Sequence, residues 1–185
     1  MNTQVLDALK KEMEHTIDAM RKDIAKMRTG RASTALIEGV MVDYYGSRSP
    51  LNQLAALSAP EPRLLVIQPY DRSVMQAIEK GILQSDLGLT PINDGKVIRL
   101  PIPELTEERR KELVRHVRKV AEDYRVSLRN HRRDANERLK KMQKDKQIPE
   151  DEARSTQDRV QKLTDENIDK LDKLLKAKED ELMAV

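Results

Sequence analysis

The chain has 185 residues, 36% charged and 38% hydrophobic, with a mean hydropathy of −0.72 and a net charge of +3. It has no cysteine, which excludes disulfides, thiolate zinc sites and cysteine nucleophiles, and no apolar run nears the roughly 20 residues of a membrane-spanning helix. So much charge with four tyrosines, no Phe and no Trp argues against a large spherical core and for an elongated helical protein.

The N-terminal stretch is amphipathic and carries acids, unlike a signal or transit peptide, so a cytoplasmic protein is expected. Divided along the chain, the charge is informative. Residues 1–104 hold 13 basic and 13 acidic side chains, residues 105–146 hold 15 and 8, and residues 147–185 hold 7 and 11. One basic segment in an otherwise neutral or acidic chain suggests a surface directed at a polyanion.

Residues 3–28 read as a first helix. Leu6, Leu9, Met13, Ile17, Met20, Ile24 and Met27 recur at three- and four-residue spacing, with Thr3 as the expected cap and Thr29-Gly30 as the stop. From 31 to 103 the pattern changes. Leu36–Tyr45 and Leu64–Gln68 read as strands and Arg72–Gln84 as a short helix. Pro91–Asn93 and Lys96–Leu100 are expected to pair as a hairpin across Asn93-Asp94-Gly95.

A second long helix is expected from Thr106, capped by that threonine, with Glu107 and Glu108 in its first turn. Its stripe is Leu113, Val117, Val120, Tyr124, Leu128, His131, Ala135, Leu139 and Met142. Pro149 ends this run and opens a third helix beside Glu150, Asp151 and Glu152. Val160, Leu163, Ile168, Leu171, Leu175 and Leu182 supply the apolar side of that third helix.

Three one-striped helices bury their stripes by closing on one another. The expected fold class is therefore α+β: an elongated antiparallel three-helix bundle (residues 1–30 and 104–185) with an inserted small β/α/β domain (31–103), joined as a hinged L-shape. Two crossings form the expected hinge, one at Thr29 and Gly30 and one at Pro101, Ile102 and Pro103.

No catalytic constellation emerges. His15, His116 and His131 lack metal-ligand spacing, and His131 falls on the apolar stripe, where a packed, hydrogen-bonded ring is expected. Gly81, Gly88 and Gly95 form no phosphate loop. The chain is read as a non-enzyme with no cofactor and no metal.

The basic helix is the strongest chemical feature. At 100° per residue Arg118, Arg125, Arg129 and Arg132 share an arc of about 60°, with Arg110 and Arg133 at its edges. Arginine's planar fork suits phosphate. With so few aromatics, phosphate and shape recognition of folded RNA is expected rather than base stacking. A solvated, salt-bridged helix face is the rival reading, as is a helical adaptor for another protein.

Several blocks resemble ribosome recycling factors. They are Arg28-Thr29-Gly30-Arg31-Ala32-Ser33, Tyr44-Tyr45-Gly46, Pro69-Tyr70-Asp71-Arg72-Ser73, Ser85-Asp86-Leu87-Gly88-Leu89, Leu105-Thr106-Glu107-Glu108-Arg109-Arg110-Lys111 and Leu128-Arg129-Asn130-His131-Arg132-Arg133-Asp134-Ala135-Asn136. They stand in family order from end to end; the family pattern carries an aliphatic residue where this chain has His131. The resemblance implies a transfer-RNA-sized protein that binds the 50S subunit and, with elongation factor G and GTP hydrolysis, separates the subunits after termination. Arg110, Arg129, Arg132 and Arg133 would then contact 23S ribosomal RNA, with Arg28 and Arg31 as hinge-proximal contacts. Gly30 and Pro101–Pro103 would set the interdomain angle of a monomer.

Overall fold

The computed structural model describes residues 2–184. The chain divides into two compact units, Met1–Ile24 with Lys111–Val185, and Ala25–Arg110.

The first unit is helical. It comprises α1 (Asn2–Ala25), nearly all of α4 (Glu107–Lys144) and α5 (Glu150–Met183). α1 begins at Asn2, so Thr3 lies within the helix and not at its cap, and the helix stops three residues before Arg28. Leu6, Leu9, Met13, Ile17, Met20 and Ile24 are buried as the expected stripe has them, with Val5 beside them, whereas Met27 lies beyond the helix and is only partly buried. α4 starts as its sequence dictates: Thr106 Oγ1 accepts from the Arg109 amide at 3.2 Å, and Glu107 and Glu108 occupy the first turn. Pro149 is the N-cap of α5, extended at φ −72°, ψ 162°, with three acids in the turn that follows.

Cross-helix contacts set the directions. Glu12 and Thr16 of α1 meet Arg138 and His131 of α4, while Arg118, Arg125 and Arg132 of α4 meet Glu179, Asp172 and Gln161 of α5. Descending numbers against ascending ones make both pairs antiparallel, a three-helix bundle. Its seam on α5 differs from expectation. Ala153, Thr156, Val160, Thr164, Asn167, Leu171, Lys178 and Leu182 are buried, so half of the seam is polar. Thr156, Thr164 and the Asn167 amide nitrogen donate to the carbonyls of Glu152, Val160 and Leu163, one turn back, which satisfies the two threonines.

The second unit holds two antiparallel sheets. β1 (Met41–Tyr44) pairs with β2 (Ser47–Pro50), and a four-stranded sheet has the order β3-β4-β6-β5, from β3 (Ala55–Glu61), β4 (Leu64–Pro69), β5 (Ile92–Asn93) and β6 (Ile98–Pro101). The one-turn helix α2 (Leu51–Leu54) links β2 to β3, and α3 (Met75–Gln84) lies between β4 and β5. β4 and β6 alternate: Leu65, Ile67, Ile98 and Leu100 are buried, and Arg99 faces out. α3 turns Met75, Ile78 and Ile82 into the same core, each burial stabilising by about 1.5–3 kcal/mol. A Cβ on Gly81 would sit 3.1 Å from the Met41 carbonyl oxygen, so the glycine is what lets α3 approach β1.

The expected hairpin forms, with Ile92 opposite Arg99 and Asn93 opposite Ile98. Its turn is held by the Asp94 carboxylate, which accepts from the Lys96 and Val97 amides at 3.0 and 2.9 Å. Those amides, Val97 first, hold Asp94 below the usual carboxylate range. Two expectations need correction. Of Leu36–Tyr45 only Met41–Tyr44 is strand: Thr34–Leu36 is a 3-10 turn, and Val40 bonds back to Ile37 around Glu38-Gly39. β2 and β3 lie outside the strands that the sequence pattern predicts, and the unit is correspondingly richer in strands than β/α/β.

Candidate nucleic-acid interface

The arginines of α4 separate into two sets. Positions 118, 125 and 132 lie seven residues apart, two turns, and so return to the same side of the helix. On antiparallel α5, Glu179 and Asp172 are also seven apart. Arg118 pairs with Glu179, and Arg125 pairs with Glu122 of its own helix and with Asp172 at 2.5 Å. Arg125 is only 20% exposed, and the hydrogen bond to Asp172 raises the pKa of its guanidinium above the ordinary value. These two are structural cross-ties, as the salt-bridged rival reading expected.

The ladder loses its acid at the third rung. Arg132 Nη1 meets the neutral Gln161 Oε1 at 3.3 Å, and Gln161 gives its amide hydrogens to Asp165 at 2.8 Å. Arg132 therefore keeps its charge for another partner. Arg133 projects from the exposed side and forms no ion pair among the described residues. Arg129 touches Glu122 at 3.3 Å, a carboxylate already engaged by Arg125. Over this turn of helix, then, Arg129, Arg132 and Arg133 make one ion pair among the described residues, that of Arg129 with Glu122.

His131 faces inward between them. The Thr16 hydroxyl donates to the Glu12 carbonyl at 2.9 Å, so Thr16 Oγ1 accepts from His131 Nε2, 3.0 Å away, and Nε2 carries the proton. Nδ1 lies 3.6 Å from the Glu12 carboxylate. The ring packs and hydrogen-bonds as expected, and it locks the turn of α4 that carries the arginines.

The remaining candidates lie in the second unit. Arg28 Nη2 donates to the Pro103 carbonyl at 3.2 Å, joining the two crossing segments. Arg31 is exposed, and Arg110 is partly buried at the last residue of this unit. Arg110 is thus in the other unit from Arg129, Arg132 and Arg133. Both crossings are also bound to the turn between β3 and β4. Ala32 donates to Pro62, Ile102 donates to Arg63, and Arg63 pairs with Glu104 at 2.5 Å. Thr29 and Ile102 are buried, while Pro101 and Pro103 are exposed. Gly30 takes φ +80°, the left-handed geometry expected of it, but five residues beyond α1. It shapes this joint and does not cap the helix. The five residues expected to form a hinge therefore belong to one compact unit, Ala25–Arg110.

The ribosome recycling factor family model matches residues 20–183. The chain belongs to the ribosome recycling factor family. Among similar relatives, the ribosome-recycling factor of Carboxydothermus hydrogenoformans is 58% identical over 184 residues, covering 98% of this chain and 100% of that protein. That of Geobacillus kaustophilus is 56% identical over the whole of both. A solution structure of a ribosome recycling factor superposes with a TM-score of 0.81 at 44% identity, over 100% of this chain and 98% of that one. A second structure, also 44% identical and covering both chains fully, aligns with a TM-score of 0.69. It represents the Thermus thermophilus factor together with Escherichia coli elongation factor G, bound to the E. coli post-termination complex. Ribosome recycling is the function the family carries, and the α+β class agrees with these structures. Among the described residues no cluster of His, Cys, Asp and Glu is arranged to hold a metal, and no helix is long and apolar enough to cross a membrane.

Proposed function

We propose that the chain recycles ribosomes after termination by binding the 50S subunit through 23S ribosomal RNA, and that with elongation factor G and GTP it promotes subunit splitting. The observation that carries the RNA contact is the surplus of guanidinium charge at Arg129, Arg132 and Arg133, left uncancelled where the α4–α5 ladder replaces an acid by Gln161. The relative placed with elongation factor G on a post-termination complex supports the choice of partner. In this reading the protein is a cytoplasmic monomer that makes and breaks no covalent bond. Arg110, Arg28 and Arg31 add contacts from the second unit, and Gly30 with Pro101–Pro103 sets the course of the two crossings.

The test is co-sedimentation with purified 50S subunits across a salt series. Each phosphate contact adds about 0.9 to the slope of log affinity against log salt for duplex nucleic acid, and somewhat less for single strands. Arg132→Ala is expected to weaken binding about tenfold and flatten the slope by about one, with the helical circular dichroism unchanged. Full binding by this variant at physiological salt would count against the arginine assignment. A helical adaptor that used its arginines only for salt bridges would bind with little salt dependence.

A further inference from the structure

The ion pairs between α4 and α5 step by seven residues in opposite directions, Arg118 with Glu179 and then Arg125 with Asp172. One further step takes Arg125 to Arg132 and Asp172 to Asp165. The register of the two antiparallel helices therefore sets an acid level with Arg132, and the spacing dictates a third pair. It does not form. Among the described residues neither Arg132 nor Asp165 makes an ion pair, and Arg132 Nη1 turns instead to Gln161 Oε1 at 3.3 Å.

The residue four places before each acid accounts for the difference, because it lies one turn back on the same face of the helix. Before Glu179 it is Leu175, and before Asp172 it is Ile168; neither side chain can donate a hydrogen bond. Before Asp165 it is Gln161, whose Nε2 donates to Asp165 Oδ1 at 2.8 Å. A glutamine–aspartate bond at this spacing forms within one helix, without recruiting a side chain from another. With its amide hydrogens committed to Asp165, Gln161 turns its oxygen to Arg132. That oxygen takes one of the five guanidinium hydrogens and cancels no charge. Arg132 is thus held in place, half-buried, with its remaining donors free of any carboxylate.

We propose that Gln161 is a positioning residue: by occupying Asp165 it keeps Arg132 from completing the α4–α5 ladder, and so reserves that guanidinium for the phosphates of RNA. This rests on the RNA contact proposed above, and one arm of the test involves no RNA.

Position 161 is exposed, so Gln161→Ala leaves the bundle folded while releasing Asp165 to capture Arg132. An exposed ion pair shifts an equilibrium by a factor of up to about five. In titrations of purified 50S subunits Gln161→Ala is therefore expected to bind about three- to fivefold more weakly than wild type, with a flatter salt dependence. Where Asp165→Asn or Arg132→Ala is already present, adding Gln161→Ala is expected to change affinity less than twofold. An equal loss in the Asp165→Asn background would overturn the proposal, since Gln161 would then act without Asp165. Wild-type affinity for Gln161→Ala, where Arg132→Ala itself binds weakly, would overturn it too. In the absence of ribosomes, Arg132→Ala is expected to lower the melting temperature more in the Gln161→Ala protein than in wild type, because only there does the third rung exist. The same drop in both would also overturn the proposal. A larger drop there, together with full 50S binding by Arg132→Ala, would strike the RNA contact and leave the hold of Gln161 on Asp165 standing.

Discussion

At Tyr124 a single hydrogen makes one of the links between α4 and α1. The phenol donates to the Asp23 carboxylate. Burial first, and that carboxylate second, push its pKa up to about 12. A free tyrosine titrates near about 10. Between those values the unfolded chain gives up a proton that the native chain keeps, so this contribution is complete below pH 10 and is lost as pH rises toward 12. Melting temperatures from pH 9 to 11.5 are expected to fall more steeply for wild type than for Tyr124→Phe. Parallel curves would refute it. Arg125 and Arg132 make a second comparison at this scale. Arg125→Ala breaks two ion pairs at a largely covered site and is expected to cost about 1 kcal/mol of stability, the upper end for such pairs, with 50S binding within twofold. Arg132 should behave the opposite way, so melts and co-sedimentation on both variants show whether the α4 arginines divide as their partners indicate.

The helices differ in how readily their sequences expose them. α1 is legible because its seam is almost wholly Leu, Ile and Met at helical spacing. α5 is legible as a helix but not in its buried face, since Thr156, Thr164, Asn167 and Lys178 read as surface residues. The burial of the first three depends on back-bonding within the helix and that of Lys178 on its ion pair with Glu181, and both are visible only once the neighbours are in place. Asn167 is the exception among them. Its amide hydrogens reach Leu163, but its Oδ1 is buried with no partner. An orphaned buried acceptor costs about 1–3 kcal/mol. Asn167→Leu is therefore expected to raise stability by about 1 kcal/mol, read as a higher denaturation midpoint. A drop would mean that the amide does more than its hydrogen bond shows. β3 was illegible for a different reason. Ala-Ala-Leu-Ser-Ala-Pro-Glu has neither the branched residues nor the alternation of a core strand, and it is tolerated because β3 is an edge, where Pro60 interrupts no central ladder. α3 meets β1 with no room to spare. Gly81→Ala puts a methyl 3.1 Å from a backbone oxygen and 3.2 Å from Val42 Cγ2, and is expected to cost about 1–3 kcal/mol, confined to the second unit.

Over the whole molecule, the long helices and the inserted segment were readable from periodicity and from the placement of glycine and proline. The place where one unit ends and the next begins was not. Thr29-Gly30 and Pro101–Pro103 look like linkers because they break regular structure. Their fate is decided by hydrogen bonds from Ala32 to Pro62 and from Ile102 to Arg63, 30 and 39 residues apart in sequence, which no local pattern discloses. This changes what Gly30→Val should do. There is space for the side chain, since a Cβ would meet Leu105 only at 3.5 Å, but φ +80° is forbidding for a β-branched residue. Such a position costs about 1–3 kcal/mol, and the cost falls on the unit that contains it. Amides of β3, β4 and β6 are therefore expected to exchange hydrogen faster in the variant, while those of α4 near Leu128 and Ala135 keep wild-type protection. Binding to 50S subunits should stay within twofold, because Arg129, Arg132 and Arg133 lie on a helix the strain does not reach. Subunit splitting should slow. Faster exchange along α4 would show that strain at residue 30 spreads into the bundle, and the crossings could then no longer be treated as part of the second unit alone.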